Sequence, residues 1–204
     1  MGVKARARAA NAINAAKAIL NKYRQSGYTS GEITNKTPMI DHKEFRAIKA
    51  FVFDVDGVFT NSDILITDQG EMLRLMNTRD GQGVKFALDN GYLVFIITKG
   101  ASPGVRKRFE LLGLTEIHDK VSDKKEVLLD ICQRFGLKKH EVLYMGDDIP
   151  DLLLFDEVGI SSCPADAAVD VLTQAKYISP LDGGKGCVRE IIERVMRIQD
   201  KWVV

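Results

Sequence analysis

Short apolar runs alternate with amphipathic stretches from residue 48 to residue 204. The runs Ala50–Val55, Leu93–Thr98, Val142–Met145, Gly159–Ser162 and Tyr177–Ile178 are too short for helices and read as strands. The most apolar of them suit burial on both faces of a parallel sheet. Between them lie helical stretches at about Gly83–Asn90, Pro103–Leu112, Lys124–Phe135, Ile149–Val158, Ala167–Ala175 and Val188–Lys201, with Gly91, Gly113 and Gly136 at C-cap positions. Such alternation predicts an α/β fold, Rossmann-like, with a mainly parallel sheet and helices on both faces. One segment breaks the rhythm. Ile64–Thr67, the turn Asp68-Gln69-Gly70 and Glu71–Met76 read as a β-hairpin inserted directly after the first strand. Ligands of open α/β sheets bind outside the carboxyl ends of the strands, so the hairpin is expected beside the site.

The first 40 residues follow a different pattern. Met1 to Gly31 contains no acidic residue, whereas Lys4, Arg6, Arg8, Lys17, Lys22 and Arg24 are basic. Ala9, Ile13, Ala16, Leu20 and Tyr23 recur at helical spacing, which predicts a helix from about Lys4 to Arg24. Gly27, Gly31 and Pro38 then mark a linker. A basic helix suits anionic lipid or nucleic acid. A mostly alanine face is a weak membrane anchor, and docking on the chain's own domain or on a sister subunit is the favoured expectation. The chain therefore divides into a basic Ala-rich extension and linker, residues 1–40, and an α/β domain, residues 41–204.

Composition narrows the classes. The 204 residues are 45% hydrophobic and 28% charged, with a formal net charge of +1, which gives no overall signature for nucleic acid. Cys132, Cys163 and Cys187 are too few and too scattered for a disulfide framework or a zinc site, and they suit a reducing cytoplasm. No apolar run reaches membrane-spanning length, and no signal-peptide core follows the N-terminus.

Polar residues mark four strand ends. The first strand runs into Asp54-Val55-Asp56, which delivers two costly charges to one point. A hard divalent cation such as Mg²⁺ suits their oxygens. One carboxylate can attack phosphorus and the other can protonate the leaving oxygen and then activate water. A plain turn at Asp56-Gly57 is the competing reading. Thr98 ends the second strand, where a hydroxyl can bond a phosphoryl oxygen, although strand-end threonines are common. Lys124 follows the cap Asp123 in the first turn of a helix, an unfavourable place for a cation unless an anion is held nearby. Lys125 competes for that role. Tyr144-Met145-Gly146-Asp147-Asp148-Ile149-Pro150-Asp151 brings three acids within five residues. Asp147 is the best second carboxylate for a metal, while Asp148 and Asp151 cap the helix or support the site.

The order Asp-x-Asp, Thr, Lys, Gly-Asp-x-x-x-Asp resembles the haloacid dehalogenase superfamily, and Asp56 places the resemblance with its phosphatases and phosphotransferases. Asn77-Thr78-Arg79-Asp80-Gly81-Gln82-Gly83 is similar to a segment of the 3-deoxy-D-manno-octulosonate 8-phosphate (Kdo-8-P) phosphatases. The short hairpin, Gly146–Asp151 and Asp182–Glu190 resemble the same family, over roughly residues 44–202. The resemblance implies that Asp54 is nucleophile and Mg²⁺ ligand. It makes Asp56 the acid/base and a ligand through its backbone carbonyl, gives Thr98 and Lys124 the phosphoryl group, and makes Asp147 the remaining protein ligand. It carries substrate contacts onto Asn77, Thr78, Arg79, Asp80, Gly81, Lys85 and Arg108. It implies no large cap domain, a cytoplasmic homotetramer in which a neighbour's hairpin or C-terminal tail covers the site, and a phosphorylated 2-keto sugar acid as substrate, in lipopolysaccharide precursor synthesis. Kdo-8-P is expected first and a nine-carbon sialic-type acid 9-phosphate second. A catalytically silent assembly subunit is a third expectation. The family commonly has Thr-Gly-Arg or Thr-Gly-Gly where this chain has Thr98-Lys99-Gly100, so its Arg has no counterpart at Gly100, and Lys99 is the candidate to supply the charge. The Gly183-Gly184-Lys185-Gly186 run lacks Walker spacing. It reads either as a flexible approach to the last helix or as a tail lining a sister subunit's site.

Overall fold

The computed structural model describes residues 42–202. The expected N-terminal helix and linker lie outside the described residues. In chain order the elements are α1 (His42–Ala47), β1 (Ala50–Phe53), β2 (Leu65–Ile66), β3 (Met72–Leu73), α2 (Thr78–Asp89), β4 (Leu93–Ile97), α3 (Pro103–Leu111), β5 (Ile117–His118), α4 (Lys124–Phe135), β6 (Val142–Met145), α5 (Leu152–Phe155), β7 (Ile160–Cys163), α6 (Val169–Leu172), β8 (Tyr177–Ile178) and α7 (Cys187–Ile198).

Six strands form one sheet in the order β5-β4-β1-β6-β7-β8, and every pairing is parallel. β1 is the central hinge of this order. The chain first winds outward through β4 and β5, then returns to the other side of β1 and winds out through β6, β7 and β8. The carboxyl ends of β1 and β6 thus flank a topological switch point, where such sheets bind ligands.

The two-residue period of β1 explains the layers. Phe51 and Phe53 face one core with Val84, Phe109, Ile191 and Val195, while Ala50 and Val52 face the other with Phe95, Leu128, Ile131 and Leu154. Helices α2, α3 and α7 therefore cover one face, and α4 and α5 cover the other. β2 and β3 pair antiparallel as a separate hairpin, turned at Gly70 with φ +80. No large cap domain is present among the described residues.

The structure departs from the pattern reading in several places. α2 begins at Thr78, five residues before the expected Gly83. Gly81 and Gly83 weaken the helical signal, but Asn77 caps the helix by accepting a hydrogen bond from the Arg79 N–H at 2.9 Å. Gly83 is needed where α2 meets α7, because a Cβ there would lie 3.1 Å from the Arg189 Cα. β5 and α1 were not anticipated. β5 is a two-residue, half-buried edge strand, too short to show a period. The segment after β6 starts as a 3₁₀ turn, Ile149–Asp151, before α5. α7 stops at Ile198, with Asp200 in the left-handed region at φ +58.

Candidate active site

β1 ends one residue before Asp54, β4 one before Thr98, and β6 two before Asp147. Three adjacent strands of one parallel sheet therefore deliver polar side chains to the same rim. α4 adds Lys124 from its first turn, which Asp123 caps by accepting the Glu126 N–H.

Lys124 is the hub. Its Nζ lies 2.6 Å from Asp54 Oδ2 and 2.6 Å from Asp151 Oδ1. All three side chains are buried. Burial alone would lower the Lys124 pKa, but Asp151 and Asp54 outweigh it and raise it, so the ammonium stays charged. Lys125 points elsewhere, to Glu157.

Asp151 is saturated. Its Oδ1 accepts from Lys124 and from the Tyr144 hydroxyl at 2.7 Å, and its Oδ2 accepts from the backbone N–H of Asp147 at 2.9 Å and of Asp148 at 3.2 Å. A carboxylate has about four lone-pair positions, and here all are used. Asp151 thus orients Lys124 and the Asp147 loop, in keeping with a supporting role. Asp148 is exposed and stands at the cap of the 3₁₀ turn.

Oxygens of Asp54, Asp147 and Asp151 lie within 4.8 Å of one another. Burial, then the neighbouring carboxylates, raise Asp54 to about 6 and Asp147 to about 7. Lys124 bonds Asp54 and Asp151, and Asp151 has no lone pair left, so Asp54 and Asp147 remain as hard, anionic, undercompensated oxygens that fit a divalent cation. Gly57 makes this proximity possible. It sits at φ +80, and a Cβ there would come within 1.8 Å of Asp147 Oδ2. The Ser62 hydroxyl donates to the same oxygen at 3.4 Å.

Asp56 turns away from this cluster. Its carboxylate receives the Arg74 fork, Nε to Oδ1 at 2.6 Å and an η nitrogen to Oδ2 at 3.1 Å. Arg74 follows β3, so the hairpin does reach the site. The Asp56 hydrogen bonds raise the Arg74 pKa further. Thr98 is buried, and its Oγ1 accepts the Gly100 N–H at 3.1 Å, which leaves the hydroxyl proton to donate.

The other expected contacts do not form one cluster. Asn77 caps α2, and Thr78 and Arg79 are exposed in its first turn. Arg108 lies against Gly81, its η nitrogen 2.7 Å from where a Gly81 Cβ would be. Lys85 is exposed and paired with Asp89 at 3.2 Å. Asp80 is fully buried and corrects the expectation of a substrate contact. Its Oδ1 accepts the Arg189 N–H at 2.8 Å, so it caps α7 from another helix. Lys99 is exposed, and the charge beside Gly100 comes from Arg74 instead: a Gly100 Cβ would lie 3.6 Å from its guanidinium. The Gly183–Gly186 run packs on the loop after β1. The Gly184 N–H donates to the Val58 carbonyl at 2.9 Å, and a Gly183 Cβ would come within 2.1 Å of the Gly57 carbonyl. That close approach accounts for Gly183 and Gly184, and a left-handed backbone at φ +111 accounts for Gly186.

The sequence reading missed Arg74, Tyr144 and Ser62. Tyr144 hid inside an apolar strand, and Ser62 in a loop without pattern. Arg74 had a usable signal, a basic residue at the foot of a hairpin already placed beside the site.

The parallel sheet, its switch-point rim and the aspartate–lysine cluster define a haloacid dehalogenase-like phosphatase. The haloacid dehalogenase-like hydrolase family matches residues 109–191. The 3-deoxy-D-manno-octulosonate 8-phosphate phosphatase of Escherichia coli K12 is 33% identical over 154 residues, 76% of this chain and 82% of that protein. The enzyme of the same name from Yersinia pestis superposes with a TM-score of 0.77 at 32% identity, over 78% of this chain and 86% of that one. The Moraxella catarrhalis enzyme, solved with a magnesium ion, a phosphate ion and a Kdo molecule, gives a TM-score of 0.76 at 28% identity, over 79% and 92%. The chain belongs to the 3-deoxy-D-manno-octulosonate 8-phosphate phosphatase family. It is a divalent-cation-dependent phosphoric monoester hydrolase.

Proposed function

We propose that the domain of residues 41–204 hydrolyses Kdo-8-P to Kdo and phosphate with Mg²⁺. The observation that carries this reading is the Asp54–Lys124–Asp151 chain beside Asp147, with Asp56 held apart from it. Asp54 attacks phosphorus; the bond from phosphorus to the sugar oxygen breaks as an aspartyl phosphate forms. Asp56 gives its proton to the departing sugar oxygen. It then takes a proton from water, whose oxygen bonds phosphorus and releases Asp54. Lys124 and the Thr98 hydroxyl hold the charged phosphoryl oxygens. Mg²⁺, bound by the side chains of Asp54 and Asp147 and the Asp56 carbonyl, would neutralise charge on those oxygens. The substrate-facing set that the family suggests is Asn77, Thr78, Arg79, Gly81, Lys85, Lys99 and Arg108; these residues are spread over α2, the loop after β4 and α3, so a bound sugar acid would have to draw them together. The substrate for which the relatives are named supports the sugar acid.

Gly100, where the family's Arg has no counterpart, loosens the choice of sugar acid, and a nine-carbon sugar acid 9-phosphate is the second reading. Exposed Leu65, Ile66 and Met72 on the hairpin support a homotetramer, which light scattering would measure. The deciding experiment is phosphate release from a panel of sugar phosphates with Mg²⁺ and with EDTA. Kdo-8-P should give the highest kcat/KM and EDTA should abolish it. Preference for the nine-carbon acid selects the second reading, and no turnover of any member selects a silent assembly subunit.

A further inference from the structure

Asp54 and Asp56 are two residues apart, and Asp54 already converges with Asp147 and Asp151. A fourth acid so close needs a reason to stay out. Arg74 supplies one. Its fork holds both Asp56 oxygens on the side that faces Thr98 and Gly100, in a recess also lined by Ser102, Arg106 and Asp119. The two contacts are unequal. Nε to Oδ1 is short, 2.6 Å, while the contact to Oδ2 is 3.1 Å. Oδ2 is also the oxygen nearest Gly100, 3.1 Å from where a Cβ would be. The guanidinium itself is anchored by donating from its other η nitrogen to the Met72 carbonyl at 3.2 Å. Its side chain is 7% exposed although the hairpin around it is open.

We propose that Arg74 is the positioning residue of the acid/base Asp56, fixing Oδ1 and leaving Oδ2 to carry the proton, and that Gly100 is glycine to admit this arrangement. The inference rests on the acid/base reading of Asp56. In the first step the Oδ2 proton passes to the sugar oxygen as its bond to phosphorus breaks, while Oδ1 stays on Arg74 Nε. In the second step Oδ2 takes a proton from water. Only the longer contact has to yield.

The test compares kcat/KM for Arg74→Met on three probes: an aryl phosphate whose leaving group departs without a proton, a simple alkyl phosphate, and Kdo-8-P. This ratio covers steps through departure of the leaving group. The alkyl phosphate and Kdo-8-P should both fall roughly 10²-fold, the low end for a mispositioned acid, and the aryl phosphate by no more than about fivefold. Arg74→Lys should recover part of the loss. In an Asp56→Asn background Arg74→Met should cost no more than about threefold further. Loss confined to Kdo-8-P would make Arg74 a contact of the sugar acid and overturn the proposal. So would equal loss on all three probes, or full additivity with Asp56→Asn. Should Arg74→Met fail to fold, Gly100→Ala, whose methyl would crowd Oδ2 at 3.1 Å and the guanidinium at 3.6 Å, must reproduce the leaving-group dependence. If Asp56→Asn alone left alkyl phosphate turnover intact, the acid/base reading itself would fail, whatever Arg74 showed.

Discussion

Asp54 and Asp56 are separated by one residue, yet the structure supports them in different ways. Asp54 leans on buried machinery. Its partners come from the first turn of α4 and, through Lys124, from Asp151 beneath the β6 loop. Asp56 leans on Arg74, carried by a hairpin of two-residue strands whose Leu65, Ile66 and Leu75 are exposed. Two-stranded hairpins are marginal by themselves. The nucleophile is thus tied to the fold's stability, whereas the acid/base is tied to an element that can move without unfolding the sheet. A charge that must be pre-organised for attack is best held by elements that cannot shift. A group that shuttles a proton needs orientation with some freedom.

Variants that remove one carboxylate at a time separate the two sides most sharply. Asp54→Asn should abolish steady phosphate release, since no other group on the rim is placed as nucleophile. Asp56→Asn should cost about 10²–10⁴-fold in kcat. Steady-state assays with a purified, folded protein check both.

Next in size is the stability difference. Lys124→Met leaves Asp54 and Asp151 facing each other without their cation. It should destabilise the fold by about 3–5 kcal/mol, and Arg74→Met by less than that, because Asp56 is 35% exposed and water can take over its oxygens. Urea titration would measure both. Equal losses would break the comparison.

The third expectation concerns pH. Asp54 and Asp147 stand at about 6 and about 7, above the ordinary 3.8. The folded protein without a cation therefore keeps protons that the unfolded chain has already lost. Its stability falls as pH rises from about 4 to about 7, and the cost is fully present above that. A divalent cation replaces those protons. Adding Mg²⁺ should accordingly raise the melting temperature more at pH 8 than at pH 5. Thermal unfolding at the two values decides it, and an equal shift would remove the cluster as the binding site.

The smallest effect lies away from the chemistry. Asp80→Ala removes the cap of α7 and should cost about 1 kcal/mol. Burial raises Asp80 to about 6, against backbone donors from Arg189, Gly186 and Val188, and its buried Oδ2 has no hydrogen-bond partner among the described residues. Asp80→Asn, which keeps the acceptor and sheds the charge, should therefore lose less than Asp80→Ala at pH 8. Denaturant midpoints at pH 5 and pH 8 would show it.

Much of the rim was legible before any coordinates. β6 and α4 fall on their expected bounds, and Asp54, Thr98, Lys124 and Asp147 stand at the strand and helix ends where the pattern put them. Asp80 was not legible. It sits in a motif-like segment with Thr78 and Arg79, but helical rotation turns its side chain inward to α7 while theirs stay exposed. The role of the Gly183–Gly186 run was equally hidden, because a glycine demanded by close approach looks like a glycine of a flexible loop.

The order of apolar runs, the residues that end them and the acids that follow were fixed by the sequence alone. Each depends on neighbours a few positions away, where period and capping act. Only the tertiary structure decided that Arg74 belongs to Asp56 and lies beside Gly100, that Tyr144 and two backbone amides use up Asp151, and that Asp80 serves the last helix. Those pairings join segments whose meeting is set by how the hairpin and helices pack over the sheet, and no local periodicity records such a distance.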